Sequence, residues 1–97
     1  MARIVHSPEA IADLAHLWQF LTDAAPESAA DAVDDVAAAL NVLSAHPLIG
    51  RRVDDDLREL VISRGVTGYV ALYRFEEASE TVRILRIRHQ RESGFSD

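Results

Sequence analysis

Glu59, His89 and Arg86 have the side-chain types that acid–base chemistry on a phosphodiester needs. A carboxylate can take the proton of a 2′-hydroxyl. An imidazole trades a proton near neutral pH and can return it to the leaving oxygen. A guanidinium can hold the phosphate between them. Each residue also has a plainer reading. Glu59 sits beside Arg58 and reads as half of a surface ion pair. A lone histidine at a strand end is more often a hydrogen-bonding residue than a catalyst.

A second group is more conspicuous. Arg83, Arg86, Arg88 and Arg91 fall within residues 81–91, a stretch without a single acid. Charges of this kind can protect a sheet edge from aggregation. Four like charges without a local acid also repel one another, so an acidic partner would stabilise them. The second reading is favoured. Arg51 and Arg52 form a smaller basic loop.

Other chemistry is poorly provided for. His6, His16, His46 and His89 are scattered, and no cysteine is present, so neither a metal site nor a disulfide is expected. Asp54-Asp55-Asp56 lacks the glycine and the following glutamate of a calcium loop and reads as a solvated turn. There is no glycine-rich phosphate loop and no nucleophile elbow. No cofactor is expected.

These residues need elements to position them. Ninety-seven residues make one domain, 1–97. Arg3-Ile4-Val5-His6 is a short β-like opening. Ser7 can cap a helix, Pro8 suits its first position and Glu9 its positive end. Ile11, Leu14, Leu17, Trp18 and Leu21 then form an apolar stripe, with Trp18 expected in the core, and the helix ends near Asp23–Ala25. Pro26-Glu27 opens a second helix with Ala29, Ala32, Val33, Val36, Leu40 and Leu43 as its stripe, closed by Pro47 and Gly50. The short link implies an antiparallel helical hairpin.

Residues 47–56 read as a loop. Three strands follow, at roughly 57–63, 67–76 and 81–89, with Gly65 and Gly68 at the first turn and Glu76–Glu80 at the second, which favours an antiparallel meander. Asp97 ends a short polar tail expected to fray. The predicted fold is α+β: an antiparallel sheet of the N-terminal strand and the C-terminal meander, with the hairpin on one face. Two helices cover one face only, yet residues 69–75 and 82–87 are apolar on both parities. Two explanations stand side by side: apolar surface that awaits a partner, or a β-bulge near Ile84-Leu85 that shifts the parity.

Charge divides unevenly. Net charge is −6, and all ten basic residues are arginine. Residues 1–48 hold one arginine against seven acids, and residues 49–97 hold nine of each. An acidic chain is repelled by nucleic acid at long range. No signal-peptide-like run and no membrane-length apolar stretch is present, so a cytoplasmic protein without a membrane partner is expected.

The order of strand, helical hairpin and meander resembles the RelE/ParE superfamily of toxin–antitoxin toxins. The likeness rests on Ser7-Pro8-Glu9-Ala10, Asp13-Leu14, His46-Pro47-Leu48-Ile49-Gly50-Arg51, Arg58-Glu59-Leu60-Val61-Ile62, Tyr69, Tyr73-Arg74 and Ile84-Leu85-Arg86-Ile87-Arg88-His89-Gln90-Arg91. It covers essentially the whole chain and is nearer the ParE branch. That branch implies a poison of DNA gyrase rather than a hydrolase. It also implies a cognate antitoxin whose tail wraps the toxin in a hetero-oligomer and whose N-terminal part binds operator DNA. Antitoxin contacts are expected at Tyr73, Arg83, Arg86, Arg88 and Arg91, and target contacts at Arg51 and Arg52. RelE-like relatives instead cut messenger RNA on the ribosome, with Glu59, His89 and Arg86 as candidates here. No tyrosine occupies the C-terminal tail, no lysine is present and the chain is acidic, so gyrase is the first expectation. The alternatives are the ribosome-dependent endonuclease and a non-toxic relative that retains antitoxin binding.

Overall fold

The computed structural model describes residues 1–64 and 67–89. Gly65, Arg91 and the polar tail lie outside the described residues. The elements are β1 (Arg3–His6), α1 (Pro8–Ala24), α2 (Pro26–Ala45), β2 (Arg51–Arg52), β3 (Leu57–Arg64), β4 (Thr67–Glu76), a 3₁₀ turn (Glu77–Ser79) and β5 (Thr81–His89). They build one five-stranded sheet in the order β1-β5-β4-β3-β2.

The helices form where their signals predict. The Ser7 hydroxyl oxygen accepts from the Ala10 N–H at 3.0 Å, and Pro8 follows it in the first turn. Along α2, Ala29, Ala32, Val36, Leu40 and Leu43 are buried, while Asp31, Asp34 and Asp35 face solvent. The α2 stripe meets Ile62, Tyr69, Ala71, Tyr73, Val82, Ile84 and Ile87 from one face of the sheet. Burying each of Val36, Leu40 and Leu43 stabilises the fold by roughly 1.5–3 kcal/mol.

Three expectations need correction. The first concerns β1, which is not antiparallel to its neighbour: it pairs parallel with β5, Arg3 opposite Thr81 and His6 opposite Ile84. The second is the loop after α2. It contains a short strand, β2, whose Arg51 lies opposite Glu59 and Arg52 opposite Arg58 in antiparallel register. The third is Trp18, which is 47% exposed, as Ile11 is 58% exposed. Seven residues apart, they share one flank of α1, about a quarter-turn from the line of Ala10, Leu14, Leu17 and Leu21 that faces the sheet.

The double-sided apolar pattern has a different basis in each strand. In β5 the register shifts: Leu72 lies opposite Arg86 but Tyr73 opposite Ile84, leaving Leu85 as an extra residue. The bulge lets Val82, Ile84 and Ile87 all enter the core despite their parity. In β4 there is no such device. Tyr69, Ala71 and Tyr73 face the helices, and Val70 and Leu72 point to the face that the helices leave open.

Candidate partner-binding site

The open face of the sheet can be read off the register. Its rows are Val61–Val70–Arg88 and Glu59–Leu72–Arg86, with Arg74 beside Arg83 nearer the other end. Apolar side chains run through the middle, and arginines line the β5 side. Half-exposed apolar groups beside guanidinium groups suit an amphipathic, acidic polypeptide.

The arginines are less free than their spacing implies. Arg83 donates to both oxygens of Glu76, from Nε at 3.1 Å and from a terminal nitrogen at 3.0 Å. Arg74 reaches the same carboxylate at 3.4 Å. Arg86 grips Asp13 of α1 in the same forked way, at 2.9 and 3.1 Å, and the Ile87 N–H donates to Asp13 at 2.9 Å. So the expectation of arginines without nearby acids fails. Their acids come from β4 and from a helix 73 residues away, a proximity that local sequence does not disclose.

The pairing shifts both carboxyl groups. Burial by itself would push the Asp13 pKa up. Hydrogen bonds from Arg86 and the Ile87 N–H, with the charges of Arg86 and Arg88, outweigh it and hold the group below its ordinary value. At Glu76 the hydrogen bonds from Arg83 lead, and the charges of Arg83 and Arg74 lower the pKa further. Arg83 is raised in turn by Glu76.

The catalytic candidates do not assemble. Glu59 belongs to the open face, opposite Leu72, whereas His89 belongs to the helix-side face, opposite Tyr69. The rings of His89 and Tyr69 meet edge to face, 5.4 Å between centres. Glu59 is bound to Arg51 at 2.6 Å, so its ion pair is with Arg51 rather than with its neighbour Arg58. Arg58 points the other way, as strand alternation requires, and donates to the carbonyls of Leu48 and Gly50 at 3.1 and 2.9 Å. Arg86 is engaged by Asp13. A cleft of about 510 Å³ does open beside His89, between α1 and the end of β5, lined by His16, Leu17, Phe20, Tyr69 and Arg88 among others. Glu59 is not part of it.

Tyr73 has a different role from the contact residue expected of it. It is 0% exposed, and its hydroxyl oxygen accepts from the Gly50 N–H at 2.8 Å. Burial pushes the Tyr73 pKa up against the lowering effects of that bond and of Arg58. A Cβ at Gly50 would meet the Tyr73 ring at 2.6 Å and the Glu59 carbonyl at 2.7 Å, so only glycine fits. Tyr73 and Arg58 together hold the 46–50 loop from behind. The loop displays Leu48 and Ile49 to solvent and delivers Arg51 and Arg52 to the sheet edge. Among the described residues no cluster of three or more metal-type ligands occurs. No described helix is long and apolar enough to cross a membrane.

Comparison with known proteins places this geometry. Toxin RelE3 of Caulobacter vibrioides is 37% identical over 92 residues, which cover 95% of this chain and 98% of that protein. The chromosomal ParDE toxin–antitoxin system from P. aeruginosa contains a chain of 26% identity and TM-score 0.75, covering 91% of this chain and 95% of its own. The RelBE2 toxin–antitoxin complex from Mycobacterium tuberculosis contains one of 28% identity and TM-score 0.60, with 94% and 93% covered. The model describing the ParE toxin of the type II toxin–antitoxin system parDE matches residues 4–94, nearly the whole described fold. With that match, and a sheet and hairpin shared with solved toxins of such systems, the chain belongs to the ParE toxin family of type II toxin–antitoxin systems.

Proposed function

We propose that this toxin arrests growth by acting on DNA gyrase and that a cognate antitoxin neutralises it by covering the open sheet face. The observation that carries the gyrase reading is the separation of Glu59 and His89 on opposite faces of the sheet. RNA cleavage needs a base and an acid on either side of one phosphate, and that pair is not formed. A net charge of −6 also suits a protein target better than a ribosomal site lined with phosphate. The solved relatives from P. aeruginosa and M. tuberculosis are toxin–antitoxin systems, which supports an antitoxin partner here. Arg83, Arg86 and Arg88 are the contacts proposed for it, with Arg91 beside them in sequence. Arg51 and Arg52 are the proposed target contacts. Operator DNA would be met only through the antitoxin. Purified protein is expected to trap cleaved plasmid in a gyrase supercoiling assay, and added antitoxin to abolish this.

The cleft beside His89 favours a second reading, a ribosome-dependent endonuclease, because it gathers His16, His89, Arg86 and Arg88. Codon-specific cuts in ribosome-bound messages, with no effect on gyrase, would decide for it.

A further inference from the structure

Asp13, His16, Leu17 and Phe20 are spaced three and four residues apart, so they share one flank of α1, away from the flank of Ile11 and Trp18. At its start the helix is tied to β5. β1 covers β5 only as far as Ile84. Beyond it the Ser7 hydroxyl donates to the Leu85 carbonyl at 2.9 Å, and Asp13 accepts from the Ile87 N–H at 2.9 Å. Past these ties, the rest of the flank and the end of β5 bound the cleft of about 510 Å³.

Two kinds of group line it. Tyr69 and Ile87 are buried and form the floor, while Phe20, 63% exposed, stands at the mouth. His16 and His89 also line it, and His89 meets Tyr69 edge to face. Four flat rings therefore converge here, out of three Phe, two Tyr, one Trp and four His in the whole chain. Such a gathering favours a flat ligand over an aliphatic one. The charge is one-sided as well. Arg86 and Arg88 bring two guanidinium groups to the lining, against Asp13 alone. Asp13 is committed to Arg86 and to the Ile87 N–H. Asp23, the next acid along α1, is bonded by Gln19 at 3.1 Å and does not line the cleft. Among the described residues the cleft is thus locally positive, in a chain of net charge −6.

We infer that the cleft between α1 and the end of β5 is a binding site for a small planar aromatic anion, its ring between Phe20 and the Tyr69–His89 pair and its acid group toward Arg88. The volume suits one such molecule. A polypeptide fits less well, because the outward main-chain groups of β5 at the head of the cleft are already taken by Ser7 and Asp13. A nucleic acid fits less well too, since a chain at −6 repels a polyanion far more than a single charge. The one carboxylate of the lining is held by Arg86, so the site has no base to offer and binds rather than cleaves. The inference concerns a ligand of the toxin and is independent of the toxin's target.

Titration of the isotope-labelled full chain, followed by NMR, tests this. The probes are naphthoate and adenosine monophosphate, each with its two halves: naphthylmethanol and acetate for the first, adenosine and inorganic phosphate for the second. At least one of the aromatic anions is expected to shift the amides of Leu17, Phe20, Tyr69 and Ile87, and to bind at least about tenfold tighter than either of its halves. Binding of naphthoate alone assigns a carboxylate ligand, and binding of the nucleotide alone a phosphate one. Phe20→Ala, at an exposed position, is expected to melt close to the parent and to weaken the preferred probe about fivefold. Arg88→Gln is expected to lower it to the affinity of its uncharged half. If Arg88→Gln fails to fold, Phe20→Ala and the uncharged halves still decide. The proposal is overturned if neither aromatic anion binds at millimolar concentration, or if either half binds as tightly as the whole. Cleft amides that shift with protein concentration alone would give the cleft to a second copy. Probes that bind only after residues 90–97 are removed would give it to the chain's own end. A bound probe that purified antitoxin expels one for one would make it a seat for the antitoxin. Each of these three results overturns the proposal as well.

Discussion

Asp13 holds Arg86 through a forked pair of hydrogen bonds at 2.9 and 3.1 Å while also accepting the Ile87 N–H. One carboxylate on α1 therefore closes a strand edge, neutralises an arginine and fixes the helical hairpin against β5. Its side chain is 12% exposed and that of Arg86 33%, so the pair is only partly screened by solvent.

Asp13→Asn should destabilise the fold by about 1.5–3 kcal/mol at neutral pH, the usual scale for losing hydrogen bonds to a charged group. The pH dependence has a definite sign. The folded-state pKa of Asp13 is depressed, so its contribution is present above the unfolded value and is lost as pH falls through the folded one. Glu76 is depressed too. Stability of the parent should fall below about pH 4, and Asp13→Asn should flatten that fall. Denaturant melts at pH 7 and in acid check both points.

Tyr73→Phe should cost about 1–3 kcal/mol, because it strands the buried Gly50 N–H without a partner. Gly50→Ala should cost at least as much, since neither the Tyr73 ring nor the Glu59 carbonyl can easily move aside. The Tyr73 pKa is raised, so its contribution holds below the unfolded value near 10 and is lost as pH rises through the folded one. Parent stability should therefore decline in alkali, and Tyr73→Phe should remove part of the decline. Thermal melts at several pH values measure this.

Most of the fold was legible in the sequence because its signals are local. Ser7-Pro8, Pro26 and the alternating strands set element boundaries to within a residue or two. The two topological errors have one cause. Consecutive elements joined by short links reverse direction, so leaving out β2 removes one reversal and turns β5 against β1. With Arg51–Arg52 counted as a strand, β1, β3 and β5 run the same way, as found. Two residues give no periodicity from which to see this. Trp18 is exposed for another reason: the apolar stripe of α1 is wider than the side that a two-layer fold buries, and Trp18 lies with Ile11 on its outer flank. Asp13 as the partner of Arg86 was invisible because the two lie 73 residues apart, whereas Glu76, seven residues from Arg83, needed the β4–β5 register to be seen as its partner.

Glu59→Ala and His89→Ala should leave growth arrest intact if gyrase is the target. Glu59 loses an exposed pair with Arg51, worth roughly 0–1 kcal/mol. His89 loses an aromatic contact with Tyr69 of about 0.5–1.5 kcal/mol. Neither loss should unfold the protein. Induction in cells, with soluble protein confirmed, tests both. Loss of toxicity in either variant at full solubility would return the endonuclease reading to first place.

The paired arginines lead to a less obvious expectation. Glu76 occupies Arg83 fully and Arg74 in part, so an acidic antitoxin tail must compete with it or add to it. Arg83→Ala then weakens binding twice over, by removing a cation and by exposing the Glu76 carboxylate to the incoming acids. The loss is expected to exceed that of Arg51→Ala or Arg52→Ala at the rim, where exposed pairs contribute roughly 0–1 kcal/mol. Glu76→Gln should do the reverse, tightening binding because it frees two guanidinium groups and removes a repulsive charge. The gain should shrink as salt rises, since the open face is in contact with solvent. Calorimetry with a synthetic antitoxin tail at two ionic strengths measures all of this. If Arg83→Ala and Glu76→Gln bind as the parent does, the arginines of β5 only keep the sheet soluble, and the antitoxin is held elsewhere.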